Sequence, residues 1–487
     1  MTAVRGRKGR TAPDLEPAEF RDLLDQAAAI ATGHWERQPE MRAYTRPPEE
    51  LVAAWRAAPL PQSGEALDRV LDRIAREVVP YPLGVGQRRW WGFINSPPHP
   101  VGIAAELIAS TLKNNCAGTS QMAIQVELTV MDWLAELVGL PRGSGGLLVS
   151  GGSMANLVAL AAARETKLPG SRQRGLRGRA RQPTVYASTE AHSCIRRALE
   201  LLGLGSDALR LVPVDREYRM DVPALRATIA ADRDSGFEPI CVVASAGTVN
   251  TGVVDPLAAI ADVAREYRCW FHVDGAYGAV GAALPELAAL YRGMERADSV
   301  AMDPHKWLYV PYEAGATLVR DPATLRAMFA HRAEYLELEE DSYLEGRVWM
   351  SDLGPQLTRE FRALKVWAVM RAVGLERYRE LWRNDIAVAR EIVRLAAGQP
   401  KLEVAATSDL SCFCVRYVPA RGDANAFNRT LLDRTHRDGR MFVSGTTLDG
   451  RFVLRGCVTN FRSTLADAEI CVETIVELGR RLEEEHA

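Results

Sequence analysis

From about Glu127 onward, short runs of branched and aromatic residues alternate with longer stretches whose apolar residues recur every three or four positions. The short runs at 184–187, 240–244, 269–273 and 299–302 have the length and composition of strands buried on both faces. The stretches between them, 191–202, 222–232 and 257–267, each carry one apolar face and are long enough to cross over between neighbouring parallel strands. This alternation predicts an α/β domain over residues 116–385, a mostly parallel sheet sandwiched by helices. Residues 1–115 read instead as a helical segment, with proline-rich breaks at Arg46-Pro47-Pro48, Pro59-Leu60-Pro61 and Ser96-Pro97-Pro98. Beyond a strand-like run at 315–320, the polar, acidic stretch 334–345 reads as a mobile loop. One long helical pattern at 356–397 leads into strand patterns at 402–404, 413–418 and 452–454, with helices at 424–437 and 465–484. Residues 386–487 therefore predict a small C-terminal α+β domain, and no internal repeat is visible.

Composition narrows the function classes. Among the 487 residues, 47% are hydrophobic and 25% charged, the averages of a globular protein, and the formal charge of -2 gives no general attraction to nucleic acid or anionic membrane. The Arg- and Gly-rich stretch 167–181 lacks interleaved aromatics and reads as a solvated loop, not as a nucleic-acid site. The basic residues 1–10 run into acidic and proline residues where a secretory signal needs an apolar core, and no apolar run nears the length of a membrane span. The expectation is a cytoplasmic protein without a membrane partner. Of the eight cysteines only Cys412 and Cys414 lie close together, on one face of a strand, and no Cys/His cluster has ligand spacing, so neither a disulfide framework nor a metal is expected.

The chemistry concentrates at strand ends. His272-Val273-Asp274-Gly275-Ala276-Tyr277 is followed some thirty residues later by Asp303-Pro304-His305-Lys306-Trp307, and each segment closes a strand pattern. In a parallel sheet the ligand crevice lies beyond the carboxyl ends of the strands, so Asp274 and Lys306 are expected in one pocket. A buried carboxylate there needs a cation, which a protonated pyridine nitrogen supplies, and a lysine in a partly dry site is expected to have a lowered pKa and a nucleophilic amine. Leu147 to Asn156 reads as strand, glycine turn and helix start, whose amides and Ser153 hydroxyl face an anion. His192 and Thr248 follow two further strands on the same edge.

With those residues in hand, the chain resembles the pyridoxal-dependent decarboxylases of fold type I, the group of aromatic-L-amino-acid, histidine and glutamate decarboxylases. Gly152-Ser153, Ala191-His192-Ser193, the Asp274 segment and Pro304-His305-Lys306-Trp307 occur in the family's order, and the likeness extends through Met131-Asp132-Trp133-Leu134, Phe361 to Lys365 and Phe452 to Arg455. The resemblance implies pyridoxal 5'-phosphate as cofactor and decarboxylation of an L-amino acid through an external aldimine and quinonoid. It further implies that Lys306 forms the Schiff base, Asp274 pairs with the pyridine nitrogen, His192 stacks on the ring, and Ala276 packs on the opposite face. Gly152, Ser153 and His305 would hold the phosphate, and Thr248 would neighbour the ring or its phenolic oxygen. A homodimer with its active sites at the interface, embraced by the N-terminal helices, is implied as well.

Some positions depart from the family. Asp303 stands where animal aromatic decarboxylases carry an amide, and a carboxylate there is expected to point away from the phosphate or to cap a helix. The loop tyrosine associated with protonating the substrate has no clear counterpart; Tyr335 and Tyr343 are in the segment, with Tyr343 the candidate. Trp91, Phe93, Ser96 and Asn115 are the other candidate substrate residues, with Trp90 beside them. Aromatic substrates compete with acidic and diamino acids, and an aldehyde synthase or another reaction on the same scaffold is the alternative, with a non-enzymatic cofactor-binding protein further off.

Overall fold

The structure, a computed structural model, describes residues 15–331 and 348–485. Its main sheet has seven strands: β1 (Gly145–Val149), β2 (Pro183–Ser188), β3 (Leu209–Val212), β4 (Glu238–Ser245), β5 (Trp270–Asp274), β6 (Ser299–Met302) and β7 (Gly315–Val319). They lie in the order β1-β7-β6-β5-β4-β2-β3. Helices Gly152–Lys167, Cys194–Leu201, Val222–Asp234 and Leu257–Glu266 fill the connections up to β5, and β2, β3, β4, β5 and β6 pair in parallel. β7 follows β6 without a crossover helix and so returns antiparallel, pairing with β6 on one side and β1 on the other. The carboxyl ends of β1, β2, β4, β5 and β6 thus share one edge with the start of β7. Mostly apolar side chains fill both faces of the central strands, which are buried except for the first two residues of β4.

A second sheet, β8 (Leu402–Ala406), β9 (Cys412–Tyr417), β10 (Ser444–Leu448) and β11 (Arg451–Cys457), is antiparallel in the order β10-β11-β9-β8. Helices Leu375–Ala397, Ala424–Asp438 and Leu465–Glu485 bury their apolar faces against it. The single helical pattern at 356–397 is in fact two helices, Arg362–Val373 and Leu375–Ala397, because Gly374 takes φ +71°, a left-handed conformation that ends the first. The second joins the two cores: Tyr378, Trp382 and Ile386 pack in the larger one, Val388, Ala389, Ile392 and Ala396 in the smaller.

Among the described residues of the N-terminal segment lie the α-helices Pro17–Arg37, Glu49–Ala57, Leu67–Glu77 and Pro100–Leu112, and the first three bury no residue. Among the described residues no helix is long and apolar enough to cross a membrane. All eight cysteines are free and buried. The acidic stretch 334–345, with Tyr335 and Tyr343, lies outside the described residues.

Candidate active site

β5 ends on Asp274, and β6 runs directly into Asp303, Pro304, His305 and Lys306, so adjacent strand tips deliver the carboxylate and the amine to one place. Both side chains line a cavity of about 560 Å³ on the carboxyl edge of the sheet. Gly152, Ser153, His192, Thr248, Ala276 and His305 line the same cavity.

The floor is a glycine turn. Gly152 opens the helix Gly152–Lys167, whose first-turn amides have no intrahelical acceptor and carry the positive end of the helix dipole. A Cβ on Gly152 would stand 2.7 Å from Asp303 Oδ2 and 3.1 Å from the Ala276 Cβ, so only glycine lets the backbone come this close. The turn is braced from below: Asn156 Nδ2 donates to the Gly152 carbonyl at 2.8 Å, and Asn156 Oδ1 meets His272 Nε2 at 2.6 Å. His272 Nδ1 lies 2.8 Å from Ser299 Oγ, which accepts from Trp270 Nε1 at 2.8 Å. Burial pushes the His272 pKa down to about 4, so its ring is neutral, and with Asn156 Oδ1 accepting, Nε2 carries the hydrogen.

Asp274 is buried, accepts from the Ala276 amide at 3.2 Å and, among the described residues, forms no ion pair. A charge left in this state favours a cation in the cavity. His192 Nδ1 accepts from the Cys194 amide at 3.2 Å, and burial holds the ring below the usual imidazole range against the opposing pull of Asp274. His305 Nδ1 accepts from the Ala314 amide at 3.2 Å, and burial likewise lowers its proton affinity. The Thr248 hydroxyl sits 2.9 Å from that of Thr251.

Two expectations about charge are corrected. Asp303 does not point away: its Oδ2 lies 2.9 Å from Lys306 Nζ and 3.7 Å from His305 Nε2, while its buried Oδ1 has no hydrogen-bond partner among the described residues. Lys306 accordingly does not have a lowered pKa; burial pulls it down, but the charge and hydrogen bond of Asp303, with Asp274 and Cys194 behind them, outweigh burial and raise it.

The expected substrate residues scatter. Phe93 lines the cavity, 54% exposed and with φ +55°. Trp91 does not line it: its indole is buried in the core of the second sheet, edge-on to Phe413, with Nε1 bonded to Ser463 Oγ. Trp90 is likewise committed, stacked on Phe442 at 5.2 Å. Ser96 donates to the carbonyls of His305 and Lys306, bracing the backbone outside the cavity, and Asn115 Oδ1 accepts from the Arg359 amide. Tyr343 lies outside the described residues. Asn250, Thr446 and Arg455 also line the cavity and were missed. Asn250 follows Thr248 closely enough that extending the same strand-end rule would have found it; Thr446 belongs to β10, whose Ser-Gly-Thr-Thr-Leu carries no strand pattern.

An amine, a carboxylate at a strand tip without an ion pair among the described residues, a neutral imidazole, and a glycine turn with free amides together fit pyridoxal phosphate, whereas the charge of Asp303 works against the phosphate. Relatives agree with this reading. Residues 48–418 match the family described as "Pyridoxal-dependent decarboxylase conserved domain". The chain is 31% identical to an aromatic-L-amino-acid decarboxylase of Bacillus atrophaeus, over 92% of this chain and 93% of that one. It is 30% identical to a phenylacetaldehyde synthase of Arabidopsis thaliana, over 81% of this chain and 82% of that one. Among solved structures, Oryza sativa TDC with PLP and tryptamine superposes with a TM-score of 0.89 at 29% identity, covering 97% of this chain and 100% of that one. With the family matched across most of its length and a cavity chemically suited to the cofactor, the chain belongs to the pyridoxal-phosphate-dependent decarboxylases.

Proposed function

We propose that this enzyme converts an L-amino acid to its amine and CO2, with Lys306 Nζ holding the cofactor covalently and Asp274 facing the ring nitrogen. The observation that carries the reading is that these two side chains leave adjacent strand tips and line one cavity. When bound, pyridoxal phosphate supplies an electron sink for the bonding pair that CO2 leaves behind. Asp274, buried and without another ion-pair partner, holds a proton on the ring nitrogen and so keeps the sink cationic. His192, neutral and oriented through Nδ1, would cover one face of the ring, and Ala276 the other. Gly152, Ser153 and His305, which line the cavity, would seat the phosphate, and Thr248 would neighbour the ring. Together these groups would hold the cofactor and leave the rest of the cavity to orient the substrate.

Aromatic L-amino acids head the substrate classes, supported by Phe93 at the cavity and by the likeness to an aromatic decarboxylase. A second outcome, decarboxylation with oxidative deamination by molecular oxygen to the aldehyde, ammonia and peroxide, is supported by the likeness to an aldehyde synthase.

The enzyme works as a homodimer in the cytoplasm. Exposed apolar side chains on the N-terminal helices support the dimer, and eight free buried thiols support a reducing compartment.

Two measurements test the site and the chemistry. The purified protein is expected to be yellow, and Lys306→Ala to lose that absorbance; an unchanged spectrum in the variant would refute the role of Lys306. With a panel of L-amino acids, one amine is expected per CO2, without peroxide. Ammonia and peroxide in place of amine select the second outcome, and turnover without CO2 sinks both.

A further inference from the structure

Asp303 is the group in the cavity that the reading above leaves unexplained. Its side chain is 2% exposed, its Oδ2 touches Lys306 Nζ at 2.9 Å, and its Oδ1 has no hydrogen-bond partner among the described residues. The same carboxylate lies against the glycine turn, where a Cβ on Gly152 would come within 2.7 Å of Oδ2. This geometry has two costs for an enzyme that must take up an anionic aldehyde. An amine held as an ammonium has no lone pair with which to attack a carbonyl. An anion seated on the turn amides also meets a fixed negative charge. Moving one proton removes both obstacles, because the amine becomes nucleophilic and the carboxyl becomes a neutral donor facing the anion.

We propose that the Asp303–Lys306 pair is a proton latch on cofactor capture: binding of a phosphate-bearing aldehyde draws the shared proton from Nζ onto the Asp303 carboxyl and so frees the Lys306 lone pair. The proposal rests on the assignment of Lys306 as the residue that holds the cofactor. In the step, one N–H bond breaks and one O–H bond forms with no change in net charge. The amine then condenses with the aldehyde, and one water leaves for each C=N bond made.

The surroundings leave Asp303 as the group that decides. Burial is the largest influence on Lys306 and opposes its charge; Asp303 is the largest influence in the other direction, followed by Asp274 and Cys194. His192 and His305 are both held toward neutrality by burial, so neither supplies a competing cation at neutral pH. Glu313 lines the cavity and acts on His305, and the Tyr312 phenol, pushed up by burial, stays protonated. With Asp303 neutralised, burial governs Lys306 and its amine is released at lower pH.

The test uses full-length enzyme stripped of cofactor, with pyridoxal phosphate and phosphate-free pyridoxal as probes. Capture is quenched with borohydride at a series of pH values and read by intact mass. In the wild type, capture is expected to rise with pH and to be faster for the phosphate-bearing probe. Asp303→Asn is expected to shift the midpoint to lower pH by at least about one unit and to speed capture of both probes at pH 7 at least about tenfold, since one pKa unit is a factor of ten in free amine. Asp303→Ser, expected to shift the same way, serves if the asparagine variant does not fold. Superimposable pH profiles for the wild type and a folded variant overturn the latch. Failure of the underlying assignment looks different: Lys306→Ala then captures either probe as well as the wild type does.

Discussion

At the residue scale, buried carboxylates set what their neighbours can do, and a third one deserves comparison with Asp274 and Asp303. Asp385 Oδ2 accepts from Trp307 Nε1 at 2.7 Å and Tyr309 OH at 2.8 Å, the aromatic residues that follow Lys306. Burial pushes its pKa up to about 7 from an ordinary value of 3.8. The folded chain therefore holds this proton more tightly than the unfolded chain. Its favourable contribution is fully present below about pH 4 and is lost as pH rises toward about 7, by an amount on the order of a few kcal/mol. Asp385→Asn, which keeps an acceptor for both donors, is expected to flatten that part of the stability-against-pH curve; denaturant unfolding between pH 4 and 8 checks it, and an identical slope in the variant counts against a titrating Asp385. Asp274 and Lys306 were legible in the sequence because strand-end position alone brings them to one edge. The direction of Asp303 was not legible: one residue past a strand, the pattern no longer fixes where a side chain points, and an ammonium at 2.9 Å decides it. Trp91 was misread because an aromatic near a site motif serves a core equally well, and here the second sheet claims it.

At the scale of elements, the crossover helices and the strands β2, β4, β5 and β6 followed from periodicity, since each pattern answers a local demand to bury one face or both. Partners distant in sequence did not. β1 is the edge strand of its sheet, and its exposed backbone groups would be open to water beside the glycine turn. A buried ion pair closes them: the Leu148 amide donates to Glu127 Oε1 at 2.9 Å, and Arg359 Nη2 donates to the Leu148 carbonyl at 2.8 Å and binds Glu127 Oε1. Both ionic side chains are 1% exposed. Arg359→Met leaves the Glu127 charge buried without its partner and is expected to cost about 3–5 kcal/mol of stability, whereas Glu127→Gln combined with Arg359→Met costs less because no charge is stranded. Chemical denaturation of the two variants measures the difference; equal losses would mean that packing, not the charge pair, holds the edge. Nothing in the local pattern around Arg359 announces this role, because its partners lie 211 and 232 residues away.

At the scale of the whole molecule, the N-terminal helices have apolar faces that the other described residues do not cover. Leu67, Val70 and Ile74 recur along one side of the helix Leu67–Glu77 and are 46%, 40% and 38% exposed, and Ile103, Leu107, Ile108 and Leu112 are exposed on the helix Pro100–Leu112. Isolated apolar side chains on a surface are ordinary, but runs at helical spacing on two helices are a face in need of a partner. Phe93, at the cavity, lies between those helices in sequence and is itself half exposed, so a second copy seated on these faces would also wall the site. Sedimentation is expected to give a dimer for the wild type. Leu67→Ser, Val70→Ser and Ile74→Ser together remove three apolar anchors, each with 38–46% of its surface left to bury and so contributing about 1 kcal/mol at an interface, enough to weaken association about a hundredfold and shift the protein toward monomer at micromolar concentration. If the site is completed across the interface, that monomer also retains pyridoxal phosphate at least about tenfold more weakly. A triple variant that still sediments as a dimer, or a monomer that holds the cofactor as the wild type does, removes the case for a shared site.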